Sequence, residues 1–171
     1  RRLGAEIVVV HPPFRWQGRY GTSFVEGIDR LNAETGIVFC VENMYPWRLP
    51  KTRREFKAYL PTWDPTDQPY EHLTLDLSHA STAGQKSREL VAAWGERLRH
   101  LHLTDGRGSF ADEHLMPGTG DQDAAGVLAD LAAAGFDGHI VLEASTRGLD
   151  RDARVETLVA ARDFARRHFT T

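Results

Sequence analysis

Five short stretches of this chain end on side chains that bind metals or move protons. Residues 6–11 (EIVVVH) end on His11, residues 37–43 (IVFCVEN) on Glu42 and Asn43, and residues 73–79 (LTLDLSH) carry Asp76 and His79 three apart. Residues 98–104 (LRHLHLT) put His100 and His102 on one face and Leu101 and Leu103 on the other. Residues 139–145 (HIVLEAS) place Val141, Glu143 and Ser145 together, and a loop past Gly106 holds Asp112 and His114 two residues apart. Two glutamates, an aspartate and a histidine make a mixed oxygen and nitrogen donor set suited to Mn2+, Mg2+, Co2+ or Zn2+. Burying three carboxylates without a cation would raise their proton affinities and cost several kcal/mol. A lone His11 at a strand end has an ordinary reading as a hydrogen-bonded structural group, and a lone Glu42 or Glu143 as the partner of an arginine. Five such ends in one chain are hard to obtain from packing, so a joint metal site is the leading expectation.

The elements that must position these residues alternate. Residues 6–11 and 37–43 are apolar on both faces, the signature of buried parallel strands, and Pro12-Pro13 stops the first. Residues 73–79, 98–104 and 139–145 read as the third, fourth and fifth strands. Helical spacing of Phe24, Ile28 and Leu31, with Thr22 or Ser23 as cap and Gly36 as stop, predicts the first crossover helix. Helices are expected over residues 86–97, over an Ala-rich run capped by Asp121 or Asp123 and closed by Gly135, and over residues 152–168. Strand then helix, repeated five times, predicts a parallel sheet with helical crossovers. Both a doubly wound open sheet and a (β/α)8 barrel place their sites at the carboxyl ends of strands. An open sheet would spread five strand ends along roughly 20 Å at about 4.8 Å per strand, whereas a barrel brings them around one axis. No GxGxxG turn follows the first strand, which further disfavours a dinucleotide fold. The barrel is favoured, with His100 one layer below the site as a supporting residue and Cys40 in the core.

The chain has 171 residues and a net charge of −3, so nucleic-acid binding gets no support from overall charge. A basic segment, Arg48, Lys51, Arg53 and Arg54, would suit a substrate phosphate, though such runs are more often solvated faces. Cys40 is the only cysteine, which excludes an intrachain disulfide and suits a reducing, cytoplasmic setting. No apolar run approaches the roughly 18 residues that a membrane helix needs.

In order, VVVHPP, CVENM, LTLDLSH, HLHLTD, DEHLMPGTGD and VLEAS resemble the xylose isomerase-like TIM-barrel superfamily. That superfamily holds sugar and sugar-phosphate isomerases and epimerases and the endonuclease IV type of abasic-site nuclease. The resemblance covers residues 1–171 as one domain and implies that these five β/α units are the C-terminal five of eight. Three strands and their helices, roughly 100 residues, would then precede Arg1. It further implies a single divalent ion held by Glu42, Asp76, His102 and Glu143, with Glu42 and Glu143 as the acid/base pair and His79 and Arg107 on the substrate. The ion would stabilise an enediolate of a small sugar, and a homodimer is one assembly this family would allow. In the nuclease branch the implied set is larger. Glu42 would bridge two zinc ions with His11 on the first, Asp76, His102 and Glu143 would complete the second, and His79, Asp112 and His114 would form the third. The first expectation is therefore a metal-dependent sugar or sugar-phosphate isomerase/epimerase. The alternative is a zinc phosphodiesterase on abasic DNA, and a third reading is a degenerate barrel that only binds.

Overall fold

The computed structural model describes residues 4–48 and 54–170. Four β-branched residues form β1 (Ile7–Val10), and two short helical turns, Arg15–Gln17 and α1 (Arg19–Thr22), lead into α2 (Phe24–Thr35). Next come β2 (Val38–Glu42), a small antiparallel pair of β3 (Trp47–Arg48) and β4 (Glu55–Phe56), and β5 (Leu73–Asp76). The rest of the chain is α3 (Leu77–Ala83), α4 (Ser87–Trp94), β6 (Leu98–Leu103), α5 (Ala124–Ala133), β7 (His139–Leu142) and α6 (Arg151–His168).

The main sheet has the order β1-β2-β5-β6-β7, and every neighbouring pair is parallel. Each crossover therefore moves one place in the same direction. A doubly wound sheet reverses that order at a switch point, and this one does not. The chain forms a five-stranded arc of a TIM barrel, with β1 and β7 at the edges of the described sheet.

The pleat sorts side chains into two layers. Val41, Leu73, Leu75, Leu101 and Leu103 join Trp94, Val127, Leu128 and Leu131 of α4 and α5 in one buried core. Each of those leucines contributes about 2 kcal/mol by leaving water. Alternate residues, including Cys40, Glu42, Thr74, Asp76, His100 and His102, share the opposite parity and line the inner face.

Two local expectations are corrected. Residues 73–79 are not all strand: β5 stops at Asp76, whose Oδ1 accepts the backbone N–H of His79 at 2.7 Å and so caps α3. The third strand's polar end is thus also a helix start, and His79 stands on the first turn of that helix. Nor does a hydroxyl cap α2, because Ser23 Oγ donates back to the Arg19 carbonyl. Asp123 caps α5 as expected, and α6 begins at Arg151, one residue before the reading, with Asp150 as its cap. The predicted helix over residues 86–97 ends early, at Trp94, where Gly95 takes a positive φ and a 3-10 turn follows.

Candidate metal centre

Register sets the site. Asp76 pairs with His102 across β5 and β6, while Glu42 ends β2 beside His11, the residue after β1. Glu143, just past β7, donates its backbone N–H to the Leu103 carbonyl and so stays in line with the ladder. The result is a ring nitrogen faced by three carboxylates. His102 Nδ1 lies 2.7 Å from Glu143 Oε2, 3.1 Å from Glu42 Oε1 and 3.4 Å from Asp76 Oδ2. One N–H cannot serve three acceptors. Asp76 Oδ2 and Glu42 Oε2 are buried without a hydrogen bond, the latter 3.0 Å from His11 Nε2 but not aligned with it. Orphaned buried carboxylate oxygens need an explanation, and a cation supplies one. Glu42, Asp76, His102 and Glu143 offer one ligand atom each, all within 4.8 Å of one another. The donors present fit a divalent ion that accepts oxygen and imidazole together.

The electrostatics of the protein without metal show the same crowding. Burial pushes the Glu42 carboxyl up, but the neighbouring rings of His102, His11 and His79 outweigh it and hold the group far below the carboxylate range. Burial would depress His102, yet Asp76 and Glu42 raise it to about 10. His79 is likewise pushed down by burial and lifted to about 11 by Asp112 and Glu42. His100, below the site, goes the other way: burial, then the neighbouring His102 and His139, lower it to about 4, and its Nδ1 is buried without a partner.

A second group adjoins the first. His79 Nδ1 lies 2.8 Å from the Asn43 carbonyl and His114 Nδ1 lies 3.0 Å from the Glu143 carbonyl. A carbonyl only accepts, so both Nδ1 atoms carry hydrogen and both Nε2 atoms are the free ligand positions. Both Nε2 atoms converge on Asp112 Oδ2, at 3.2 Å and 2.8 Å. Asp112 is pushed up by burial, but His114 and His79 hold it well below its usual range, and Asp112 in turn raises His114 to about 9. Asp76, His79 and His114 also lie within 4.8 Å as possible ligands.

All eight ligand candidates from the sequence are therefore gathered in one region, His11 at its rim with 59% of its side chain exposed. Arg107 is placed differently. It is exposed in the loop after β6, and its backbone N–H donates to the Glu113 carboxylate. Of the basic segment, Lys51 and Arg53 lie outside the described residues.

Three supporting residues were missed. Asn43 stitches β2 to β5, its side chain donating to the Asp76 carbonyl and accepting the Asp76 N–H. Ser78 Oγ donates to Asp112 Oδ1 at 2.6 Å and accepts from the N–H groups of Glu113 and His114. It thereby holds His114 in a left-handed backbone at φ 45°. Asp105 is buried and accepts the N–H groups of Gly106, Gly118, Gly120 and Gln122, closing the loop that carries Asp112 and His114. Polar residues in otherwise buried strand ends were the only available signal for them.

The strand order and this site define the class: the chain belongs to the xylose isomerase-like TIM-barrel family, whose sequence model matches residues 1–168. Among its relatives is an uncharacterized protein of Mycobacterium tuberculosis strain H37Rv, 42% identical over 185 residues. The alignment covers 98% of this chain but 66% of that protein, so the chain spans about two thirds of the relative's length. A D-tagatose 3-epimerase-like protein superposes with a TM-score of 0.67 at 22% identity, over 96% of this chain and 63% of that one. The 3-keto-D-glucoside 4-epimerase of E. coli gives a TM-score of 0.61 at 16% identity, over 91% of this chain and 63% of that one. Among the described residues no helix is long and apolar enough to cross a membrane.

Proposed function

We propose that the chain carries the metal-binding and proton-transfer half of a sugar isomerase or epimerase, acting on a small keto- or aldo-sugar or its phosphate. The observation that carries this reading is the convergence of Glu42, Asp76 and Glu143 on one nitrogen of His102. Glu42, Asp76, His102 and Glu143 would hold one divalent ion, which when bound supplies a Lewis acid that makes the hydrogen beside a sugar carbonyl easier to remove. Glu143 is the main proton carrier, because 46% of its side chain is exposed to an incoming substrate. Glu42 is nearly closed off and held ionised by its histidines, so it is the weaker base and the firmer anchor. In epimerisation Glu143 would take the proton from one face of the carbon, and Glu42 would return one to the other face. Glu42 would first accept that proton from the charged His79, whose Nδ1 lies 3.1 Å from Glu42 Oε1. His79 and its Asp112 partner border the same space and would meet substrate hydroxyls. The names of the epimerases similar in fold agree with this chemistry.

The test is exchange of solvent deuterium into the carbon-bound hydrogen of a ketose panel by metal-loaded, full-length protein. At saturating metal, Glu143→Gln should lower exchange by about 100-fold or more while folding persists. Unchanged exchange would remove Glu143 from this role.

A second reading rests on the convergence of His79 Nε2 and His114 Nε2 on Asp112 Oδ2. Two or three zinc ions in place of one would favour a phosphodiesterase on abasic DNA. The net charge of −3 argues against a DNA-binding face.

A further inference from the structure

Beside the centre lies a pocket of about 230 Å³ lined by Tyr45, Pro46, Trp47, Arg48, Thr82 and Phe110. It adjoins the site. The Tyr45 ring sits 5.2 Å from that of His79, and Thr82 Oγ1 holds the carbonyl of Ala111, the residue before Asp112. Its walls are aromatic and partly bare: Trp47 is 40% exposed and Phe110 61%. Trp47 is also fixed in place. Its indole N–H reaches the Tyr59 hydroxyl at 3.3 Å, and Phe14 and Trp16 pack on it at 5.5 Å and 5.8 Å between ring centroids. A wall already immobilised gives up little freedom when a ligand arrives.

Among the described lining residues Arg48 is the cation, and its partners decide between ligands. Arg48 donates Nη1–H to the Thr82 carbonyl at 2.9 Å, places Nη2 3.5 Å from Glu55, and sets its guanidinium 5.8 Å over the Phe110 ring. Its charge is answered by Glu55 and its donors are partly in use, so a phosphate dianion would compete with Glu55 for the guanidinium. A sugar ring would not. Its C–H faces suit Trp47 and Phe110, and its hydroxyls suit the remaining Arg48 donors and the Tyr45 hydroxyl. The volume falls below the roughly 300 Å³ at which pockets for drug-sized ligands begin, which matches one ring rather than a longer chain.

We propose that this pocket is a second sugar subsite, so that the substrate is an uncharged glycoside whose distal ring packs against Trp47 and Phe110. The inference rests on the reading of the centre as a sugar isomerase or epimerase, and it selects a glycoside over a monosaccharide or a sugar phosphate.

The test is ligand-observed NMR on the full-length, manganese-free protein with glucose, glucose 6-phosphate, cellobiose, maltose and trehalose. At least one disaccharide should bind about ten-fold more tightly than glucose. Phe110→Ala, at an exposed position, should erase that preference, and Trp47→Phe should retain it. The subsite is overturned if no disaccharide outbinds glucose, if glucose 6-phosphate binds best, or if Phe110→Ala keeps the preference. The deuterium exchange assay separates the two proposals. With ketose disaccharides added to the exchange panel, a disaccharide preference without exchange in any ketose or ketose disaccharide upholds the subsite and sinks the isomerase reading, whereas exchange without preference sinks the subsite alone.

Discussion

His102 can give one proton to three carboxylates or a lone pair to a cation, and pH selects between these states. Without metal its pKa is about 10, so at pH 7 the ring is charged and a metal must expel that proton. Affinity for Mn2+ should therefore rise with pH up to about 10, with proton release visible by calorimetry in buffers of different ionisation enthalpy. A pH-independent affinity would show that His102 does not ligate. The same groups set the stability of the chelated protein. His79, His102 and His114 have folded values of about 11, 10 and 9, above their unfolded values near 6.5. Their contribution is complete below about pH 6.5 and disappears as pH climbs through the folded values. Glu42 and Asp112 are depressed, so their contribution is present above about pH 4 and is lost as pH falls further. Scanning calorimetry in chelator should find the highest Tm between about pH 5 and 6.5. A Tm still rising at pH 9 would contradict the charged-histidine network.

At the scale of elements, the strand ends were legible because a charged residue closing an apolar run is costly and therefore informative. Depth along their shared face separated His102 from His100, and the structure keeps them apart as a candidate ligand and a buried neutral ring. What escaped was double use. Asp76 gives Oδ1 to the His79 N–H as a helix cap and leaves Oδ2 for the centre, so the D-x-x-H spacing is helical and not strand-like. Asp105 escaped because its four partners are backbone groups that meet only after the loop has folded. Asp105→Asn keeps the shape but turns an amide NH2 donor toward backbone N–H donors, and should lower stability by about 2 kcal/mol or more. Denaturant unfolding would show it, and an unchanged midpoint would mean the loop is held elsewhere. At Gly120 a methyl would collide with the Gly106 carbonyl, so Gly120→Ala should disturb the same loop and lower the same unfolding midpoint.

At the scale of the molecule, alternation of strands and helices was sufficient for a parallel sheet, while the choice of barrel needed the convergence of five strand ends. The unreversed order β1-β2-β5-β6-β7 agrees with that choice. The two-residue strands β3 and β4, which carry Trp47 and Arg48, were too short to leave a periodic signal. The helix-side core is a conventional one, and Leu101→Ala should destabilise by about 3 kcal/mol without altering the ligand set. The claim on which the rest depends is that Glu42, Asp76, His102 and Glu143 bind a divalent ion together. Elemental analysis and Mn2+ titration of full-length protein, beside His102→Ala and Asp76→Asn, test it most directly. The account predicts one tightly held ion in the parent and a loss of at least ten-fold in affinity in each variant. A parent protein that binds no divalent ion, or variants that bind it equally well, would contradict it.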